Sequence, residues 1–171
     1  NTDWTRHFLD RATFTNSHQL SVSGATPKTS FYLSAGYEGE DGLLSELASD
    51  SYTRYSTRAK VRYDVFNWLT VSNNTNYVLT DRTKPTNYNL DDIYNAKPVD
   101  VDKNEDGSWT ATDLGRALAQ IVDGGSETIR NSHLQSAFSA EMKFWERLLT
   151  VNANYTYSIA HEDYKWYQTR Y

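Results

Sequence analysis

Between Tyr55 and Val65 the chain alternates without a break. Tyr55, Thr57, Ala59, Val61, Tyr63 and Val65 fall on one side, and Ser56, Arg58, Lys60, Arg62 and Asp64 on the other. A period of two marks an extended strand, whose successive side chains point to opposite faces. The same rhythm predicts strands over 16–24 (Leu20 and Val22 on the apolar side) and 29–38 (Phe31, Leu33, Ala35, Tyr37). It returns from Leu69 to Leu79, with Asn73 out of pattern, then through Leu134, Phe138, Ala140, Met142 and Phe144, and again over 149–159.

The connections alternate in length. Ala25-Thr26-Pro27-Lys28, Phe66-Asn67-Trp68 and Trp145-Glu146-Arg147-Leu148 leave room only for tight turns, whereas the other connections are long. Residues 1–15 read as a loop and strand lead-in, 16–80 as four strands in two hairpins, and 81–127 as a long loop. Residues 128–160 read as two more strands, and 161–171 as the start of the next outer loop. Short turns on one side and long loops on the other are the signature of outer-membrane barrels. Trp68 and Trp145, beside Phe66 and Phe144, fall where an interfacial aromatic girdle would sit. The expected fold is all-β: antiparallel strands forming part of a large transmembrane β-barrel, with a long extracellular loop that contains a short helix. Six strands cannot close a wide barrel, and an open edge in lipid leaves backbone groups unpaired. The chain therefore reads as a piece of something longer.

Composition narrows the classes. Thirteen Tyr, five Trp and six Phe in 171 residues suit strands. The net charge of −5, with no basic cluster clear of acidic neighbours, argues against a nucleic-acid partner. A mean hydropathy of −0.74 decides nothing, because barrel strands are half polar. There is no Cys, hence no disulfide framework. His7, His18, His133 and His161 are scattered, and no nucleophile elbow or phosphate-cradling glycine loop is present, so no enzyme activity is expected.

Several segments resemble one family. The opening NTDW, the LSVSG of Leu20–Gly24, Lys28 after the turn, the FYLSAGY of Phe31–Tyr37 and the RYSTRAKVRYDVFNWL of Arg54–Leu69 are similar to the SusC/RagA family of TonB-dependent outer-membrane transporters of Bacteroidetes. The likeness covers residues 1–79, continues more weakly over 131–159, and omits the insertion. Ala25 stands where a second Gly is frequent. The resemblance implies a plugged barrel that imports oligosaccharides or peptides, a SusD-like surface lipoprotein as lid, energy delivered through TonB, and a bacterial outer-membrane location rich in lipopolysaccharide. The family's plug and TonB box match nothing in this chain. The rival reading is a soluble, calcium-stabilised glycan-binding β-domain that buries the same apolar faces between two sheets.

The insertion carries the sharpest local motif. Asp102, Asn104, Asp106, Ser108, Thr110 and Asp113, with Gly107 at the sixth position, fit the spacing of a calcium loop. Asp113 in place of Glu resembles the dockerin form. Leu114, Ala117, Leu118 and Ile121 then fall at helical spacing until Gly124-Gly125. A structural Ca2+ would rigidify the loop; the alternative is a solvated acidic turn.

Two further sets of residues stand out. Arg54, Arg58, Lys60 and Arg62 form a basic stripe on the lumen side, suited either to an anionic substrate or plug, or to internal pairing with Asp64 and neighbouring acids. Tyr164, Trp166, Tyr167 and Tyr171 form an aromatic cluster that could meet a ligand or partner, or pack the loop.

Overall fold

The structure, a computed structural model, describes residues 2–9, 12–44, 47–86, 89–145 and 148–169. Six strands form one antiparallel sheet, hydrogen-bonded in chain order: β1 (Thr15–Ala25), β2 (Thr29–Asp41), β3 (Ser51–Phe66), β4 (Leu69–Pro85), β5 (Ser126–Phe144) and β6 (Leu149–Trp166). Helices α1 (Trp4–Phe8), α2 (Asp91–Tyr94) and α3 (Asp113–Val122) lie in the connecting segments. No described helix is long and apolar enough to cross a membrane, which says nothing about strands.

The register holds the apolar side of every strand on one face. Val22 pairs with Leu33, Leu33 with Ala59, Phe31 with Val61, Tyr63 with Val71, Val71 with Ala140 and Leu134 with Ile159. A slip of one residue anywhere would have turned a strand inside out. The alternation of β3 is interrupted at one point. Val65 has no cross-strand partner, because the ladder jumps from Asp64↔Thr70 to Phe66↔Leu69. The extra residue of this bulge brings Phe66 opposite Leu69 and onto the apolar face.

The strands also outrun their apolar alternation at the long-loop end. β4 continues to Pro85, β5 begins at Ser126 and β6 ends at Trp166, where sequence gave 80, 128 and 160. Residues 161–166 are therefore strand and not the start of an outer loop. The ladder persists through Thr83↔Thr128 and Glu127↔Trp166, since backbone pairing needs no apolar side chain. Lys84 and Glu127 add an ion pair at 3.3 Å.

Beyond that end, three chain segments build a small core. Trp4 of α1, Leu44 of the β2–β3 connection, Ile93 of α2 and Leu114, Leu118 and Ile121 of α3 are buried together. The expected short helix is α3. Its N-cap Thr112 accepts from the Gly115 amide at 3.0 Å, and the helix stops before Gly125, which has φ +102°. A Cβ on Gly125 would come within 2.1 Å of the Tyr167 carbonyl oxygen, so only glycine fits between α3 and the end of β6. The Trp4 indole donates to the Lys97 carbonyl at 2.9 Å, fixing the amino-terminal segment to the insertion.

Candidate functional site

The apolar face of the sheet stands open. Val61 is 42% exposed and Phe138 51%, although both sit in the middle of the sheet. Aromatic rings border this face at two levels. Near the tight turns Phe66 stacks on Trp68 (centroids 5.5 Å apart) and Trp68 on Phe144 (6.1 Å). Near the long loops His18, Tyr37 and Tyr55 form a second row, with centroids 6.3 and 5.3 Å apart. One row further the face turns charged, and Arg130 on β5 donates to Asp81 on β4 at 2.9 Å.

Asn73, the irregularity in the β4 pattern, is accounted for by its neighbours. Its amide donates to Ser136 Oγ at 3.0 Å, and Thr75 Oγ1 donates to its Oδ1 at 2.9 Å. The hydroxyls of Thr75 and Ser136 lie 2.7 Å apart. Three polar side chains thus satisfy one another, which lowers the cost of placing them on an apolar surface.

The opposite face is mostly polar, with Val78, Ile129 and the aromatic rings of Tyr164 and Trp166 among its polar side chains. Within the basic stripe, Arg54 pairs with Glu38 at 3.9 Å and Arg62 with Asp64 at 3.7 Å. Arg58 donates to the Asn74 amide oxygen at 3.0 Å. Internal pairing therefore holds for two of the four cations. Tyr164 and Trp166 stand on β6 on this same face, since Tyr164 follows Tyr52, Arg82 and Ile129 across the ladder. Both are exposed. Tyr167 follows β6, its amide donating to the Ser126 carbonyl at 3.1 Å; Tyr171 lies outside the described residues. Sequence reasoning missed Glu40, Tyr52 and Arg82, which join Asp50 around a hollow of about 420 Å³ at the long-loop end.

The calcium-like segment forms a tight turn. Lys103 and Trp109 face each other across it, and Gly107 takes φ +84°, the conformation its sixth position demands. Asp106 Oδ1 accepts from the Ser108 amide at 2.9 Å and from its hydroxyl at 2.6 Å. These bonds hold the Asp106 carboxyl below its usual range. The Asn104 amide donates to Ser108 Oγ at 2.9 Å, the Ser108 carbonyl accepts from the Asn104 amide at 2.8 Å, and the Thr110 amide donates to the Asp102 carbonyl at 2.9 Å. The turn thus brings the side chains of Asn104, Asp106 and Ser108 together, whereas Asp102 meets Thr110 through the backbone and the Thr110 hydroxyl donates to the Val101 carbonyl. Asp113 begins α3 and is engaged by Arg116. The donor set is oxygen-rich, as hard cations require, but an ion would compete with Ser108 for Asp106 and with Arg116 for Asp113.

Compared with known proteins, the chain matches no family model and no curated protein.

Proposed function

We propose that this sheet is a barrel segment of a TonB-dependent outer-membrane nutrient importer of the SusC type. The carrying observation is the apolar band between two aromatic rows, set against a mostly polar opposite face. From Tyr55 to Phe66 the band spans roughly ten ladder steps, ~33 Å along the strand. At the ~40° tilt of a closed barrel that becomes ~25 Å, the height of the apolar belt such proteins present to lipid. The free edges of β1 and β6 require further strands from the parent protein, since unpaired backbone cannot face hydrocarbon. The sequence resemblance supplies the rest of the reading: a plug and TonB box elsewhere in the parent, a SusD-like lipoprotein over the loops, and an oligosaccharide or peptide cargo. No catalytic step is assigned to the chain.

The phase of the faces is the point to test. Spin labels at Leu33, Val61, Val71 and Phe138 in the parent protein should be reached by lipid-soluble quenchers, and labels at Ser34 and Arg62 by aqueous ones. Protection of the four apolar sites from both reagents would instead mean a sandwich core and a soluble glycan-binding module.

Within the same reading, Asp102, Asn104, Asp106, Ser108, Thr110 and Asp113 hold a structural Ca2+ that stiffens the outer loop. Calorimetric titration of the parent with calcium should show one site lost in Asp106→Ala; identical heats from the two proteins would remove the ion.

A further inference from the structure

Carboxylates on the polar face are confined to its two ends. Towards the long loops stand Glu38, Glu40, Glu127 and Glu162, and towards the tight turns Asp64 and Glu141. Between them run four successive cross-strand rows without one acid, through Gly36, Ser34, Tyr32 and Ser30 on β2. The row of Ser34 continues as Arg58, Asn76, Gln135 and Ser158; that of Tyr32 as Lys60, Asn74, Ala137 and Thr156; that of Ser30 as Arg62, Ser72, Ser139 and Asn154. Three cations therefore share this zone with hydroxyls and amides. Among the described residues Arg58 and Lys60 have no carboxylate within ion-pair distance, and Arg62 has only Asp64, which also accepts from Thr70 Oγ1 at 2.7 Å.

The wall is also concave there. A hollow of about 310 Å³ opens between β2, β3 and β4, with Ser30, Tyr32, Lys60, Arg62, Ser72 and Asn74 around it. An ammonium, a guanidinium fork, three hydroxyls and a carboxamide are donors from which a carboxylate, sulfate or phosphate group can accept. A wall that merely needed solubility would intersperse both signs, as its two ends do.

We infer that this hollow is an anion subsite for an acidic group carried by the cargo, so that the importer favours acidic oligosaccharides or peptides over neutral ones. The inference rests on the barrel reading, which makes this face the lumen wall. Lys60 and Arg62 hold the acid group, Ser30, Ser72 and Asn74 complete its hydrogen bonds, and Arg58 adds field from the next row. Low local dielectric at a concave wall strengthens such attraction and focuses it.

The test uses the parent transporter in outer-membrane fragments, with Ser72→Cys as reporter. An anionic methanethiosulfonate (the ethylsulfonate) should modify it at least tenfold faster than the cationic trimethylammonium reagent. Added inorganic sulfate at constant ionic strength should slow that reaction, and Lys60→Gln with Arg58→Gln should abolish both the preference and the protection. Equal rates for the two reagents, or no slowing by sulfate, would overturn the subsite. So would a cysteine closed to both reagents, which would mean that another protein segment fills the hollow. Ala59→Cys on the apolar face keeps the two readings apart. Modification there by the impermeant reagents would defeat the barrel, whereas resistance there combined with any of the failures above would defeat the subsite alone.

Discussion

Leu118 and Leu20 carry the same side chain in opposite circumstances: the first is 0% exposed in the loop cluster, the second 75% exposed on the sheet. The contrast holds for the regions as wholes. The loop cluster closes around Trp4, Leu44, Ile93 and α3 as any small water-soluble core does, whereas the sheet leaves Phe31, Leu33, Val61 and Phe138 open. Burying a Leu or Phe is worth about 1.5–3 kcal/mol, and the sheet gains little of this from itself. One chain thus carries two kinds of apolar surface, one enclosed by its own packing and the other left open on the sheet.

The largest effect should come from the cluster. Leu118→Ala removes a fully enclosed side chain and should cost about 2–5 kcal/mol of local stability. Amide exchange over 89–122 should accelerate while the central amides of β3 and β4 keep their protection. Equal acceleration in both would mean that cluster and sheet are one cooperative unit. Next, Val61→Arg places a charge in mid-band and should cost about 2–4 kcal/mol in reversible unfolding from lipid. A charge at the neighbouring polar-face position Ser72 should be tolerated, and similar costs at the two sites would erase the distinction between the faces.

Smaller effects sharpen the picture of the cluster. Thr112→Ala deletes the N-cap of α3 and should cost about 1 kcal/mol, measurable as faster exchange at Gly115 and Arg116. The Asp106 turn should depend on acid. Its carboxyl is held low by Ser108, so its contribution is complete above the ordinary carboxylate range and is lost as pH falls through the lowered folded value. Asp106→Leu should therefore lower loop stability near pH 6, with the difference from the parent shrinking towards pH 3; a constant difference would deny the linkage.

How much of this was legible depended on whether the signal was local. Alternation belongs to each strand separately, so the apolar phase of β3 and β6 could be read from the chain itself. The bulge at Val65 could not, because only pairing with β4 reveals the extra residue. Strand ends were hidden where Asp81, Thr83 and Asp163 take the positions that apolar residues hold further along the same face. α3 announced itself through Leu114, Leu118 and Ile121, whereas α1 and α2 are too short to show a period. Trp4, Leu44 and Ile93 are single apolar residues in three distant polar segments, and nothing local says that they meet. The calcium-like spacing was plain, but Arg116 as the partner of Asp113 was not. The acid-free zone of the polar face likewise emerges only when six strands are laid in register.

The overrun of the strands has a consequence for reach. On β5 the stretch 126–131 rises past the last aromatic row of the band; at ~3.3 Å per residue and a ~40° tilt this is on the order of 15 Å. An outer leaflet is carpeted with the sugars of its lipids, and a loop level with the hydrocarbon edge would be submerged in them. In the proposed barrel the polar ends of the strands would be stilts that lift the cluster through this carpet. A macromolecule approaching that barrel would therefore meet a folded platform before it met the membrane.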